Sequence, residues 1–316
     1  MPQIVVLGEA LIDIFADKGV PLHAAKTLHP APGGAPANLA VALARLGANV
    51  GFIGKVGVDD YGSFLIDLLT GEGVETTYFV ADPHGPTMLA VVAAPSPTEQ
   101  QFIIYEGASA RLTPADLSES YITSASIFAY GSVTLASASR HAARQAVQWA
   151  RDAGNHVVFD VNLRPLLWPN LELARQQITK AVNSATIVKL NEAELEFLTG
   201  SGDPAQGSQQ LVEAGLQLCC VSLGADGAYF NNGAAQGHVP GFSIAVQDTT
   251  GSGDAFVAGL TFQLSGFSKP VTELDEATLR HGITFANACG ALAATQLGAM
   301  SALPALDAVE QLLRYV

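Results

Sequence analysis

ASIFAYGSV at residues 125–133, HVVFDVN at 156–162, ATIVKLN at 185–191 and LCCVSLG at 218–224 are four short apolar runs. Between them stand stretches of helical pattern at 136–152, 171–182 and 192–199. Strands this short and this uniformly apolar fit burial on both faces, the situation of a parallel sheet covered by helices. Alternation of strand and helix over a hundred residues predicts a doubly wound, mostly parallel α/β fold.

Upstream the rhythm differs. IVVLGEALIDIF at 4–15 reads as a strand broken near Gly8–Glu9 and then continued. A loop rich in Pro, Ala and Gly ends in APGGAPANLA, and from Asn38 the pattern ANLAVALARLG is helical until Gly47 stops it. NVGFIGKVG is a short strand and YGSFLIDLLTGEG a helix. MLAVVAA and QFIIYEG then face each other across a Pro/Ser/Pro turn with no helix between them, which predicts a hairpin. The expectation is one α/β domain over 1–316. It carries a small antiparallel sheet, made of segments near 11–30 and 85–107, as a lid. Such an insertion cannot bury both its faces alone, and a pocket at the strand ends is what it would cover.

Composition narrows the function classes. Of 316 residues, 49% are apolar and 14% charged, with 31 glycines and 16 prolines, a globular and turn-rich profile. No run of about 18 apolar residues occurs, so no spanning helix is expected. A formal charge of −14, with no compensating basic run, argues against nucleic acid. MPQIVVLGEALIDIF has no basic region ahead of its apolar run, so it reads as a first core strand and not a signal peptide. Cys219, Cys220 and Cys289 form no disulfide framework and read as small buried residues. The cytoplasm is the default compartment.

The densest chemical signal is AVQDTTGSGDAFVAGLTFQL at 245–264. Asp248 ends an apolar, strand-like run, and Asp254 stands where the helix FVAGLTFQL begins. Glycines let backbone amides approach an oxyanion, and a helix start adds unpaired N–H groups and the positive end of the dipole. Gly251, Ser252, Gly253 and the Asp254 amide could hold a phosphoryl group, with the Asp254 carboxylate accepting a hydroxyl proton. The same carboxylate could instead cap the helix. The loop is neither GxxxxGK nor GxGxxG, since Phe256 stands at the last position. A dinucleotide-binding dehydrogenase is a poor reading, because the expected N-terminal GxGxxG and its acidic residue are lacking.

With this loop in view the chain resembles, through nearly its whole length, the PfkB/ribokinase family of carbohydrate kinases. APGGAPANLAVALARLG with GFIGKVGVDDYG looks like the family's first signature, and DTTGSGDAFVAGL like its second, with Ser252 where Ala is usual. The resemblance implies a ribokinase-like sheet with a β-lid closing over a sugar. It makes Asp254 the base and Gly251–Gly253 the anion hole, and it places Asp13, Gly33, Gly34 and Asn38 against sugar hydroxyls. Asn191 and Glu194 in VKLNEAELEFLTG match its NxxE motif, which organises Mg2+ and phosphate, often through water, with Lys189 adding charge. SLGADG, with Ser222, Gly224 and Gly227, resembles the nucleotide turn, and Asn287 the adenine side. Asp248 and Thr250 would offer oxygens to K+. Many such kinases dimerise through the lid.

GGAPANLA, the GE opening and FDVNLRPLLW at 159–168 together look like fructokinases. Arg164 would pair with a phosphate oxygen or orient the lid, unless it simply faces solvent. Phe102, Ile104 and Glu106 alternate with Ile103 and Tyr105, so Phe102 or Tyr105 is offered to the ring without the sequence choosing a face. Fructose phosphorylated at O6 by MgATP is the preferred reaction. A 2-keto-3-deoxygluconate kinase, an aminoimidazole riboside kinase and a catalytically silent sugar-binding homologue are the alternatives.

Overall fold

The break at Gly8–Glu9 parts two sheets. The computed structural model describes residues 1–96, 99–267 and 269–314, so Pro97 and Thr98 of the anticipated hairpin turn lie outside the described residues. In chain order the strands are β1 (Ile4–Leu7), β2 (Leu11–Ala16), β3 (Leu28–Gly33), β4 (Val50–Gly57), β5 (Glu75–Asp82), β6 (Met88–Ser96), β7 (Glu99–Tyr105), β8 (Ile127–Gly131), β9 (His156–Asp160), β10 (Ile187–Asn191), β11 (Leu218–Ser222), β12 (Ala228–Asn231) and β13 (Gln236–Val239). Nine of them form one sheet in the order β13-β12-β11-β10-β9-β8-β1-β4-β5. From β11 to β5 all neighbours are parallel, and β12 and β13 add an antiparallel edge. β5, β12 and β13 lack the uniform apolar character of the inner strands and were not read from the sequence.

Alternate side chains of the inner strands go to opposite layers. Ile4, Val6, Ile127 and Ala129 pack with the helices Ala35–Arg45, Ser252–Ser265 and Glu276–Ala293, whereas Val5, Leu7, Phe128 and Tyr130 pack with Arg140–Asp152 and Leu171–Val182. Burial on both sides is why these runs carry no polar alternation. The three cysteines are free and buried, as expected. Among the described residues no helix is long and apolar enough to cross a membrane.

The remaining four strands make the lid, in the order β3-β2-β6-β7. It is mixed and not antiparallel: β2 runs parallel to β6, while β3–β2 and β6–β7 are antiparallel. Both β2 and β6 leave the main sheet from strand ends on the same side, which imposes a common direction. Other boundaries shift for local reasons. The first helix starts at Ala35, three residues before Asn38, with Gly34 at φ 101° as its N-cap. The stretch 136–152 is split into Val133–Ala136 and Arg140–Asp152. AVQD is not a strand, because the Gln247 and Asp248 amides both donate to Ala294 O at the end of a helix.

Candidate active site

Strand order reverses between β1 and β8, and the loops leaving the carboxyl ends of β1, β8 and β9 meet there. Open α/β sheets bind ligands at such a switch point. A cavity of about 20 Å3 at this place is lined by Glu9, Tyr130, Gly131, Ser132, Asp160, Asn162 and Asp254, among others.

Asp254 lies in the first turn of the helix Ser252–Ser265, whose N-cap is Gly251 at φ 79°. Its Oδ2 accepts a 2.7 Å hydrogen bond from Asn38 Nδ2. The carboxylate thus reaches across to another helix, which answers the capping alternative. Burial, and more weakly the negative charge of Asp160, push its pKa up to about 6, against the pull of Asn38, Lys189 and Arg164. A carboxylate of that pKa is a stronger base than an ordinary aspartate and still ionised at neutral pH. Gly251 has no space for a side chain, since a Cβ would sit 3.0 Å from Ala299 Cα. The Ser252 N–H turns back to Thr249 O at 3.2 Å. The amides of Gly253 and Asp254 are therefore the ones the helix end leaves for an anion. Ser252 Oγ is buried with no hydrogen-bond partner among the described residues.

Lys189 joins this loop: a Cβ on Gly253 would stand 3.3 Å from its Nζ. Lys189 is buried and pairs with Asp160 at 3.3 Å. Burial works against its charge, but Asp160, Glu194 and Asp254 outweigh that and hold its pKa up. Asp160 was missed as a site residue. Its Oδ1, despite the ion pair, has no hydrogen bond of good geometry among the described residues. In the FDVN tract it looked like any strand-end carboxylate.

On the sugar side, Asp13 of β2 sits over Gly33 of β3. A Cβ at Gly33 would lie 2.1 Å from Asp13 Oδ2, so only glycine admits the carboxylate there. Burial raises the Asp13 pKa to about 6, with Arg164 opposing. Gly34 packs on the backbone of Glu9, and its carbonyl accepts from the Asn38 amide at 2.8 Å. The lid register puts Asp13 across from Ala90 and Ala90 across from Ile104, so Phe102 and Ile104 share Asp13's face. Tyr105 pairs with Leu89 on the other face, and the assignment of Tyr105 to the sugar is corrected accordingly. Arg164 is exposed in the loop after β9, where its charge reaches Glu9, Asp13 and Asp254. The loop turns at Asn162, the one non-glycine residue at positive φ (31°) among the described residues. Trp168, at the end of the same tract, is buried in the core.

The nucleotide-side residues come together with two amendments. Asn191 and Ser222 are register partners at the ends of β10 and β11, and Gly224 and Gly227 adopt positive φ in the following turn. Glu194 accepts from the Leu163 amide at 2.8 Å and the Asn191 amide at 2.9 Å, so both its oxygens are engaged by backbone and any role toward a cation passes through water. Asn287 Nδ2 donates to Val239 O and Pro240 O, so its amino group supports the wall and is not offered to a base. Asp248 accepts from Thr250 and from the Gly298 amide, which ties the 248–250 turn to the loop at Gly298. Among the described residues no cluster of three or more His, Cys, Asp or Glu could hold a metal by itself.

Known proteins share this sequence and fold. Probable fructokinase-7 of Arabidopsis thaliana is 40% identical over 98% of this chain and 92% of its own length. The crystal structure of fructokinase from Xylella fastidiosa with bound ATP superposes with a TM-score of 0.90 at 34% identity, covering 100% of this chain and 99% of that one. Aminoimidazole riboside kinase from Salmonella enterica, complexed with aminoimidazole riboside and an ATP analogue, gives a TM-score of 0.83 at 34% identity, covering 98% of this chain and 99% of that one. The family model described as pfkB family carbohydrate kinase matches residues 1–306. With the model matched over nearly the whole chain and the lid and strand order shared with the solved relatives, the chain belongs to the PfkB family of carbohydrate kinases.

Proposed function

We propose that the enzyme transfers the γ-phosphoryl group of ATP to the C6 hydroxyl of D-fructose. The observation that carries this reading is Asp254, with its raised pKa, held by Asn38 beside the Gly253–Asp254 amides. A hydroxyl between that carboxylate and the anion loop would lose its proton to Asp254 as its oxygen bonds to phosphorus and the bond to the ADP oxygen breaks. The loop amides, Ser252 Oγ and Lys189 would meet the charge spread over the transferring group. Asp13, Asn38 and the glycine turn would fix the sugar, with Arg164 over the same carboxylates.

Asp160, whose Oδ1 is engaged only by the 3.3 Å ion pair with Lys189, and Glu194, acting through water, would suit Mg2+ carried in on the nucleotide phosphates, a cation that keeps its waters readily. When bound, it neutralises phosphate charge. The Asp248–Thr250 turn is the proposed K+ loop. Self-association through the lid completes the reading.

The acceptor choice rests on charge. Asp13 and Asp254 are ionised at neutral pH on the sugar side of the cleft, with Arg164 beside them, which disfavours the carboxylate of 2-keto-3-deoxygluconate. The relatives' names favour fructose over the riboside. A coupled ADP-release assay with MgATP across fructose, ribose, glucose, 2-keto-3-deoxygluconate and aminoimidazole riboside, with product mass, tests it. Turnover confined to fructose is expected. Turnover confined to another acceptor overturns the fructose assignment, and silence throughout favours a non-catalytic homologue.

A further inference from the structure

Beside the catalytic cavity lies a second one, also about 20 Å3, between the core and the lid. The core supplies Gly8, Glu9 and Thr134, and the lid side supplies Met88 and Glu106. Two polar atoms on its wall are buried without a hydrogen-bond partner among the described residues: Glu9 Oε2 and Thr134 Oγ1. Both side chains are more than nine-tenths buried, at 5% and 6% exposure. A buried polar atom left unpaired costs about 1–3 kcal/mol, so two on one cavity call for a partner that arrives from outside. The space admits one oxygen-sized group.

Three features keep this place open and oriented. Gly8 cannot carry a side chain, because a Cβ would fall 2.3 Å from Pro36 Cγ and 3.4 Å from Thr134 Oγ1. The Glu9 carboxyl is steered by its own N–H and that of Ala35, the first residue of the helix bearing Asn38. Burial, with Asp254 adding to it, pushes its pKa up to about 8, so at neutral pH the carboxyl is mostly protonated and can both donate and accept. Glu9 also lines the cavity of Asp254, so the two cavities share a wall.

We infer that Glu9 and Thr134 form a hydroxyl-recognition pair that decides which sugar the site accepts. It rests on the sugar-kinase reading above. Glu9 Oε2 and Thr134 Oγ1 bind one hydroxyl of the sugar at the end away from the transferred phosphoryl group. The lid residues Met88 and Glu106 close over that hydroxyl. An acceptor lacking it, or presenting its epimer, leaves both atoms unpaired and is rejected.

The test measures KM and kcat of wild type, Thr134→Val, Thr134→Ser and Glu9→Gln. The acceptors are the sugar the wild type turns over fastest and its epimers and monodeoxy analogues. For the parent sugar, T134V should raise KM about 10-fold, the value of one lost hydrogen bond, while KM for ATP stays unchanged. For a single analogue, the one without the recognised hydroxyl, the variant and the wild type should become alike. T134S should keep the wild-type pattern, and E9Q should weaken discrimination at the same hydroxyl. A uniform loss on every analogue would mean packing alone and overturn the inference. So would an unchanged KM, which would assign the cavity to a water. Should T134V not fold, Thr134→Ala supplies the same comparison. If ribose and not fructose proves to be the acceptor, the fructose assignment falls while the pair is tested on the analogues of ribose.

Discussion

Asp254 and Asn38 are far apart in sequence and 2.7 Å apart in space, and the bond between them sets how the base titrates. Asn38 donates to the ionised carboxylate, which favours the charged form against the burial that opposes it. With the base active only when ionised, kcat/KM should fall about tenfold per pH unit below a pKa of about 6. Replacing Asn38 by Leu removes a stabiliser of the charge, so the acid limb of the profile should move to higher pH. A limb that stays in place would detach it from Asp254. D254N should bind ATP normally and lose about 10²–10⁴ in kcat, and near-normal turnover would sink its role as base. At this scale the sequence exposes residues that sit in dense patterns, such as Asp254 in GSGD. Thr134 sits in no such pattern, and Glu9 only in the short GE opening. Their interest lies in being buried and unpaired, a property of the packed structure alone.

The lid joins the core through elements whose side chains interlock. The Gly33 Cα faces the Asp13 carboxylate so closely that a methyl group there would strike it at 2.1 Å. Gly33→Ala should therefore push Asp13 aside and raise KM for the sugar by about 10–100-fold, the range of a hydrogen bond to a charged group. KM for ATP should hardly change, because Ser222–Gly227, the turn proposed for the nucleotide, follows β11, four strands from β1. A sugar KM unchanged in G33A would remove Asp13 from the substrate site. The inner strands were legible because burial on both faces leaves an unbroken apolar run. The direction of β6 against β2 was not, because a hairpin pattern fixes the pairing of β6 with β7 and is silent about the third strand. Once the register is known, it also sorts Phe102 from Tyr105, a choice that alternation alone leaves open.

At the scale of the molecule, the lid shows apolar side chains on the face turned away from Asp13. Leu28, Ile103 and Tyr105 lie on that face at 47%, 45% and 54% exposure, with Ile14 and Val91 between them in the pairing register. A sheet with one face on a substrate cleft ordinarily alternates to polar residues on the other, and an apolar outer face signals a partner surface. A second copy of the same lid is the simplest occupant, because a two-fold contact matches the patch with itself. Light scattering at micromolar protein should then give twice the mass of 32.7 kDa. The pair Ile103→Lys and Tyr105→Lys should give a monomer with its fold intact by circular dichroism. Both substitutions lie off the Asp13 face, so the monomer should bind nucleotide as the dimer does. Any rise in sugar KM would show that the contact also holds the lid in its closing position. A wild type that stays monomeric at that concentration would remove the lid-to-lid dimer.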